Sequence, residues 1–154
     1  MALLIVRHAH AGSRRDWDGP DGARPLSPKG RRQADGLVGL LAAYPIERIL
    51  SSPYTRCVET VEPLARARGL TVETAAALGE ASGVRQPLSL IRKLASTSAV
   101  LCSHGDVIPA LLDALAAENG LPLPADYPCA KGSTWVLQAR DSVLAEAAYL
   151  PPTH

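Results

Sequence analysis

Four apolar residues, Leu3-Leu4-Ile5-Val6, run without interruption into Arg7-His8. A short unbroken apolar run suits a strand covered on both faces, as in a parallel sheet flanked by helices. A second such run, Ala99-Val100-Leu101-Cys102, ends in Ser103-His104-Gly105. Ile46 to Ser51 reads as a third, followed by Ser52-Pro53. In parallel sheets ligands collect in the crevice beyond the carboxyl ends of the strands. The polar residues that follow these runs are therefore the first place to look for chemistry.

The stretches between the runs read as helices. Residues 9–27 form a polar loop punctuated by Gly12, Gly19, Pro20, Gly22 and Pro25, long enough to suggest a functional or mobile segment. Ser27 suits an N-cap and Pro28 the first helical position. The helix they open runs to about Tyr44, with Ala34, Leu37, Val38 and Leu41 facing inward. A second helix opens at Ser52-Pro53 and turns Cys57, Val58, Val61 and Leu64 inward. Pro63 is expected to kink or break it. Leu70-Thr71-Val72 reads as a short strand, Leu78 to Val84 as a loop, and Pro87 to Ser96 as a helix burying Leu90, Ile91 and Leu94. The helix after His104 buries Val107, Ile108, Leu111, Leu112 and Leu115 and ends at Gly120. After a Pro-rich connection over 121–131, Thr134 to Leu137 and Val143 to Tyr149 form a terminal hairpin turning near Arg140-Asp141-Ser142. The tail from Pro151 to His154 is expected to fray. This alternation predicts a three-layer α/β/α sandwich on a mostly parallel sheet with an antiparallel C-terminal strand. With no linker, repeat or low-complexity stretch, residues 1–154 read as one domain.

Composition narrows the class. At 154 residues, 47% hydrophobic and 20% charged, the chain can bury a sizeable core. Phe is absent, so that core is built of Leu, Val, Ile and Ala. A net charge of +1 gives no footprint for a nucleic-acid polymer or a membrane surface. No apolar run reaches membrane-spanning length, and no signal peptide precedes the first strand. Cys57, Cys102 and Cys129 are odd in number and lack metal-ligand spacing, which fits a reduced, cytoplasmic protein.

Three strand ends deliver residues suited to phosphate. The run at Leu3–Val6 gives Arg7 and His8, the run at Ile46–Ser51 gives Arg56 in the first turn of the helix that follows, and the run at Ala99–Cys102 gives His104. An arginine is a planar fork of donors, and a histidine is a nitrogen nucleophile or proton carrier near neutral pH. Helix N-termini at Pro53 and Gly105 would add backbone donors and positive dipole ends. If these strands are neighbours, two arginines and two histidines surround one small anion.

Arg7-His8-Ala9, Arg24-Pro25-Leu26-Ser27-Pro28-Lys29-Gly30, Ser51-Ser52-Pro53 with Arg56 and Thr60, and Ser103-His104-Gly105 together resemble the histidine phosphatase superfamily, which includes the phosphoglycerate mutases. The Arg24–Gly30 stretch is similar to SixA-type phosphohistidine phosphatases. Val107-Ile108-Pro109 with Lys131-Gly132-Ser133-Thr134-Trp135 resembles the histidine phosphatase domain attached to some actinobacterial Nudix hydrolases. The resemblance covers roughly residues 3–137. It implies a phosphoglycerate mutase-like fold and a phosphatase needing neither metal nor cofactor. His8 would attack phosphorus and become a phosphohistidine. Arg7, Arg56 and His104 would hold the phosphoryl oxygens, and a carboxylic acid would protonate the leaving oxygen.

The family places that acid after the third strand, where Leu78-Gly79-Glu80 matches; Asp106, two residues past His104, is the competitor. Ser13 and Arg14 are candidates to reach substrate, as are Gly105 and Asp106. Arg24 is expected to pair with an acid and pin the loop, and His10 to be a solvated loop residue. Cys102 is expected to be buried packing, and Lys131 to rim the site or cap a strand end. Trp17 either folds over the pocket or marks a contact surface. Residues 81–103, between Glu80 and His104, must supply a helix and a strand, which leaves little chain for a cap. A shallow, open site fits a phosphoprotein or the exposed end of a large phosphoester better than a mutase, which must keep its intermediate from water. A phosphate-binding module serving a Nudix or signalling partner is the other class of reading.

Overall fold

Strand β1 (Ala2–Arg7) is buried along all but its last residue. The structure, a computed structural model, describes residues 1–80 and 83–153. The other strands are β2 (Arg48–Ser51), β3 (Val72–Thr74), β4 (Ala99–Ser103), β5 (Thr134–Arg140) and β6 (Val143–Leu150). The helices are α1 (Pro28–Leu40), α2 (Thr55–Arg68), α3 (Arg85–Leu94) and α4 (Val107–Asn119). The sheet order is β3-β2-β4-β1-β5-β6. Strands β1 to β4 run parallel, β5 pairs antiparallel with β1, and β6 pairs antiparallel with β5.

Alternation along β1 sorts the core into two layers. Leu3 and Ile5 pack with Leu101, Ile91 and Leu94 of α3, and Leu111 and Leu115 of α4. Leu4 and Val6 pack on the other face with Leu37 of α1 and Cys57, Val61 and Leu64 of α2. Each Leu or Val enclosed in this way contributes about 1.5–3 kcal/mol of hydrophobic stabilisation. The result is the expected α/β/α sandwich. The hairpin turns where expected, with Asp141 and Ser142 at φ +52° and +65°.

Several boundaries differ from the sequence reading, each for a local reason. Helix α1 stops at Leu40 rather than near Tyr44: the Ala42 and Tyr44 N–H groups donate three residues back, to the Gly39 and Leu41 carbonyls (3.3 and 3.1 Å), and Arg68 Nη2 donates to the carbonyls of Leu41 and Tyr44 (2.8 Å each). The second helix starts at Thr55 rather than at Ser52-Pro53. The Ser52 N–H still donates to the Cys102 carbonyl at 2.9 Å, so the chain leaves the sheet later. Pro63 does not break α2, whose Val61, Leu64 and Ala65 are held against the sheet on either side of it. The third strand lies at Val72–Thr74, not Leu70–Val72, because the Leu70 N–H is still bonded to the Ala65 carbonyl at the helix end. Helix α3 buries Pro87 and Leu88, while Leu90 is only half-buried.

The 9–27 segment is not a plain polar loop. It carries 3-10 turns at Arg14–Asp16 and Asp21–Ala23, and buries Ala9, Ala11, Arg24 and Leu26. Nor does the tail fray: Thr153 packs against Gly36 of α1, where a Cβ would lie 2.0 Å from its Oγ1. Of the expected 78–84 loop, Ala81 and Ser82 lie outside the described residues, as does His154 of the tail.

Gly30 sits where the chain after His8 crosses α1. A Cβ there would be 1.9 Å from the His10 carbonyl oxygen, so only glycine permits the approach. Gly39, on the same helix, has nothing within 4 Å of such a Cβ. Gly30→Ala is expected to destabilise the protein by about 1–3 kcal/mol through overpacking. Gly39→Ala should instead gain up to about 1 kcal/mol from reduced chain entropy. Thermal denaturation of the two variants checks both signs.

Candidate active site

The sheet register brings the three strand ends together. Arg7 pairs with Ser103 and Ser51 with Cys102, so β2, β4 and β1 end side by side. The His8 N–H donates to the Ser103 carbonyl at 3.0 Å, which carries the strand alignment one residue further. As a result the His8 and His104 rings stand 5.5 Å apart, edge to face.

His8 is buried, and its Nδ1 lies 2.9 Å from the Ala9 carbonyl oxygen. A carbonyl only accepts, so Nδ1 carries the hydrogen and Nε2 keeps a free lone pair. The Ala9 N–H donates to Thr60 Oγ1 (2.9 Å), and that hydroxyl donates to the Arg56 carbonyl (2.6 Å). These bonds tie the backbone beside His8 to α2. Burial is the largest influence lowering the proton affinity of His8; the Ala9 bond opposes it, and Arg56, His104 and Arg7 add to it. The pKa falls from 6.5 to about 3, so the ring is neutral at physiological pH.

His104 is buried, with Nε2 2.8 Å from Ser52 Oγ and Nδ1 3.4 Å from Glu80 Oε1. Cys57 Sγ lies 3.5 Å from Nε2, and the Tyr54 ring meets the imidazole edge to face. Arg7 donates from Nη1 to the Cys129 carbonyl at 2.7 Å and lies against Gly105, where a Cβ would come within 2.6 Å of its Cζ.

Arg56 is fully buried. Its Nη2 donates to Glu80 Oε1 (2.9 Å) and Asp21 Oδ2 (3.2 Å), and its Nη1 to the Asp21 carbonyl (2.9 Å). Arg14 bridges the same two carboxylates, with Nε 3.4 Å from Asp21 Oδ1 and Nη2 3.3 Å from Glu80 Oε1. Two arginines and two carboxylates thus alternate in a closed ring. Arg24 donates to the Ala11 and Gly12 carbonyls and to Asp21 Oδ1, so the acid that pins the loop is Asp21. Burial alone would raise the pKa of Asp21, but Arg56, Arg24 and Arg14 outweigh it and hold the carboxyl below its ordinary value.

These groups enclose a cavity of about 510 Å³ lined by Arg7, His8, Gly12, Arg14, Arg24, Arg56, Glu80, Gly105, Asp106 and Lys131. Lys131 is held below its ordinary pKa first by desolvation and then by the charges of Arg7, Arg24, Arg56 and Arg14. Ser13 is not part of this lining. Its Oγ accepts from the Arg15 N–H at 3.1 Å and caps a 3-10 turn. Trp17 does not cover the cavity either; its Nε1 donates to the Pro20 carbonyl and its ring rests on Gly19. His10 is half-buried rather than solvated, with Nδ1 2.6 Å from Ser27 Oγ. Cys102 is fully buried among apolar residues, as expected. Among the described residues, no group of three or more His, Cys, Asp and Glu side chains is placed to hold a metal ion.

Asp21 is a site residue that the sequence reading passed over, and Ser52, quoted there only as part of a motif, was given no role. The loop holds three aspartates, Asp16, Asp18 and Asp21, and only the three-residue spacing to Arg24 favours one of them.

Residues 3–88 match the family model described as histidine phosphatase superfamily, branch 1. The chain belongs to the histidine phosphatase superfamily. It is 34% identical over 155 residues to an 8-oxo-(d)GTP phosphatase of Mycolicibacterium smegmatis, covering 97% of this chain and 48% of that protein. It therefore spans about half the length of that relative. Its fold matches the protein histidine phosphatase SixA complexed with tungstate at a TM-score of 0.79 and 20% identity, covering 99% of this chain and 96% of that one. A mycobacterial glucosyl-3-phosphoglycerate phosphatase matches at 0.71 and 20%, covering 96% of each chain. The resemblance to the histidine phosphatase superfamily and its SixA-type members is borne out, and the chain stands among phosphatases. No helix among the described residues is long and apolar enough to cross a membrane.

The neutral state of His8 has a measurable consequence for this histidine phosphatase. The unfolded chain takes up a proton at His8 as pH falls through 6.5, and the folded one only near 3. The unfolded state then binds more protons, so this contribution to stability is lost as pH drops across that window. The thermal midpoint of the wild type is expected to fall more steeply between pH 6.5 and 4 than that of His8→Ala, as scanning calorimetry at several pH values would show.

Proposed function

We propose that this domain hydrolyses a phosphomonoester or a phosphohistidine without a metal, through a covalent phosphohistidine on His8. The observation that carries the proposal is the free Nε2 lone pair of a neutral His8, facing a cavity lined by Arg7, Arg14, Arg24, Arg56 and Lys131. Nε2 attacks phosphorus as the bond to the leaving oxygen breaks. Arg7, Arg56 and His104 stabilise the charge spread over the equatorial oxygens. The proton that the substrate's phosphate monoanion brings in passes to the Glu80 carboxylate, 2.9 Å from Arg56 and 3.4 Å from His104, and from there to the leaving oxygen. In the second step the same carboxylate takes a proton from water, which attacks the phosphohistidine and releases phosphate and free His8. Splitting one displacement into two lowers each barrier. Asp106 remains the competing acid; it also lines the cavity. Gly105 admits Arg7 to the site, Arg14 reaches in from the rim, and Ser13 shapes the turn that carries Arg14.

The open cavity and the minimal cap support a substrate larger than the cavity itself. Between β3 and β4 the chain forms α3, whose Leu88, Ile91 and Leu94 belong to the core, and little is left to roof the site. The likeness to an 8-oxo-(d)GTP phosphatase supports the exposed phosphate of a nucleotide as one such substrate. The fold shared with SixA supports a phosphohistidine on a protein as the other.

Turnover of an aryl phosphate tests the chemistry. His8→Ala is expected to abolish it without unfolding the domain, and EDTA to leave it unchanged; a loss in EDTA restored by a divalent ion would overturn the mechanism. Glu80→Gln is expected to slow an alkyl phosphate by about 10²–10⁴-fold, the usual range for general acid catalysis, and an aryl phosphate far less. If Asp106→Asn shows that leaving-group dependence instead, the acid is Asp106.

A further inference from the structure

Asp21 is placed as the junction of three arginines. Its Oδ1 is 3.4 Å from Arg14 Nε and 3.3 Å from Arg24 Nε, and its Oδ2 is 3.2 Å from Arg56 Nη2. Its backbone carbonyl also takes Arg56 Nη1, at 2.9 Å. One residue thereby holds both terminal nitrogens of a fully buried guanidinium. With Glu80 on Nη2 as well, the donors left on Arg56 are Nε–H and the second hydrogen of Nη1. Arg56 Nε is buried and has no partner among the described residues. A guanidinium is planar, so fixing both terminal nitrogens fixes the direction of the remaining donors.

The position of Asp21 is also set by bonds that do not involve Arg56. Its 3-10 turn, Asp21–Ala23, closes on Arg24, and Arg24 is anchored to the Ala11 and Gly12 carbonyls. The acid is therefore part of a prebuilt frame, brought to Arg56 from a segment distant in sequence.

We propose that Asp21 is a positioning residue that aims Arg56 at the phosphoryl group in flight and takes no part in bond making or breaking. It rests on the phosphatase reading above. Two effects of opposite sign follow. The negative charge of Asp21 beside an anion weakens binding of ground-state phosphate. The orientation it imposes favours the transition state, where charge grows on the equatorial oxygens. A residue that only kept the site folded would move both in the same direction.

The test is Asp21→Asn, which is nearly isosteric and keeps the backbone carbonyl bond to Arg56. On an aryl phosphate, kcat is expected to fall about ten- to a hundredfold, the scale of a misplaced catalytic group. The inhibition constant of inorganic phosphate is expected to stay level or drop. Asp21→Glu, which keeps the charge, is expected to recover part of the lost kcat, and guards against a misfolded asparagine variant. If the inhibition constant rises in step with the loss of kcat, Asp21 merely maintains the fold of the site and the proposal fails. If kcat matches or exceeds the wild type, Asp21 competes with phosphate for Arg56 and the proposal also fails. His8→Ala in the same assay separates the two levels: turnover surviving in that variant overturns the covalent mechanism on His8, and the role of Asp21 with it.

Discussion

Five cationic side chains lining one small cavity repel one another, and much of the local structure exists to keep them there. Arg7, Arg14, Arg24, Arg56 and Lys131 share the lining with Glu80 and Asp106. A buried cation without a partner is costly, and Arg56 is fully enclosed. The alternating ring of Arg56, Asp21, Arg14 and Glu80 resolves that conflict. The 9–27 segment brings one carboxylate to this ring and the chain after β3 brings the other, so two loops are held by the same electrostatic need.

The sheet supplies the rigid side of the arrangement. Strands β2, β4 and β1 are adjacent and end at one level, which puts His8 and His104 on neighbouring strand ends. Helix α2 then contributes twice, through the Arg56 guanidinium and through Thr60, which fixes the backbone beside His8. Gly30 lets that backbone lie close to α1, and Gly105 lets Arg7 lie close to β4. The same packing that stabilises the domain thereby lowers the proton affinity of His8, since burial is the largest cause of its shift. Loss of stability at acid pH and a neutral imidazole are two results of one environment.

Much of this was written along the chain itself. Apolar runs long enough for buried strands, helical spacing between them, and polar residues at the run ends determined the layered fold and named Arg7, His8, Arg56 and His104 as its candidates. Those signals are local, and a local signal survives without knowledge of the fold. Tertiary structure decided what depends on distant partners. Leu70 is withheld from β3 by its bond to Ala65, α2 passes through Pro63 because its flanking residues are held on the sheet, and Thr153 is held at Gly36. The choice of Asp21 among three loop aspartates belongs to the same class. Its immediate sequence distinguishes it only by the three-residue spacing to Arg24, because its main partner, Arg56, is far along the chain and meets it only once α2 has packed against the sheet.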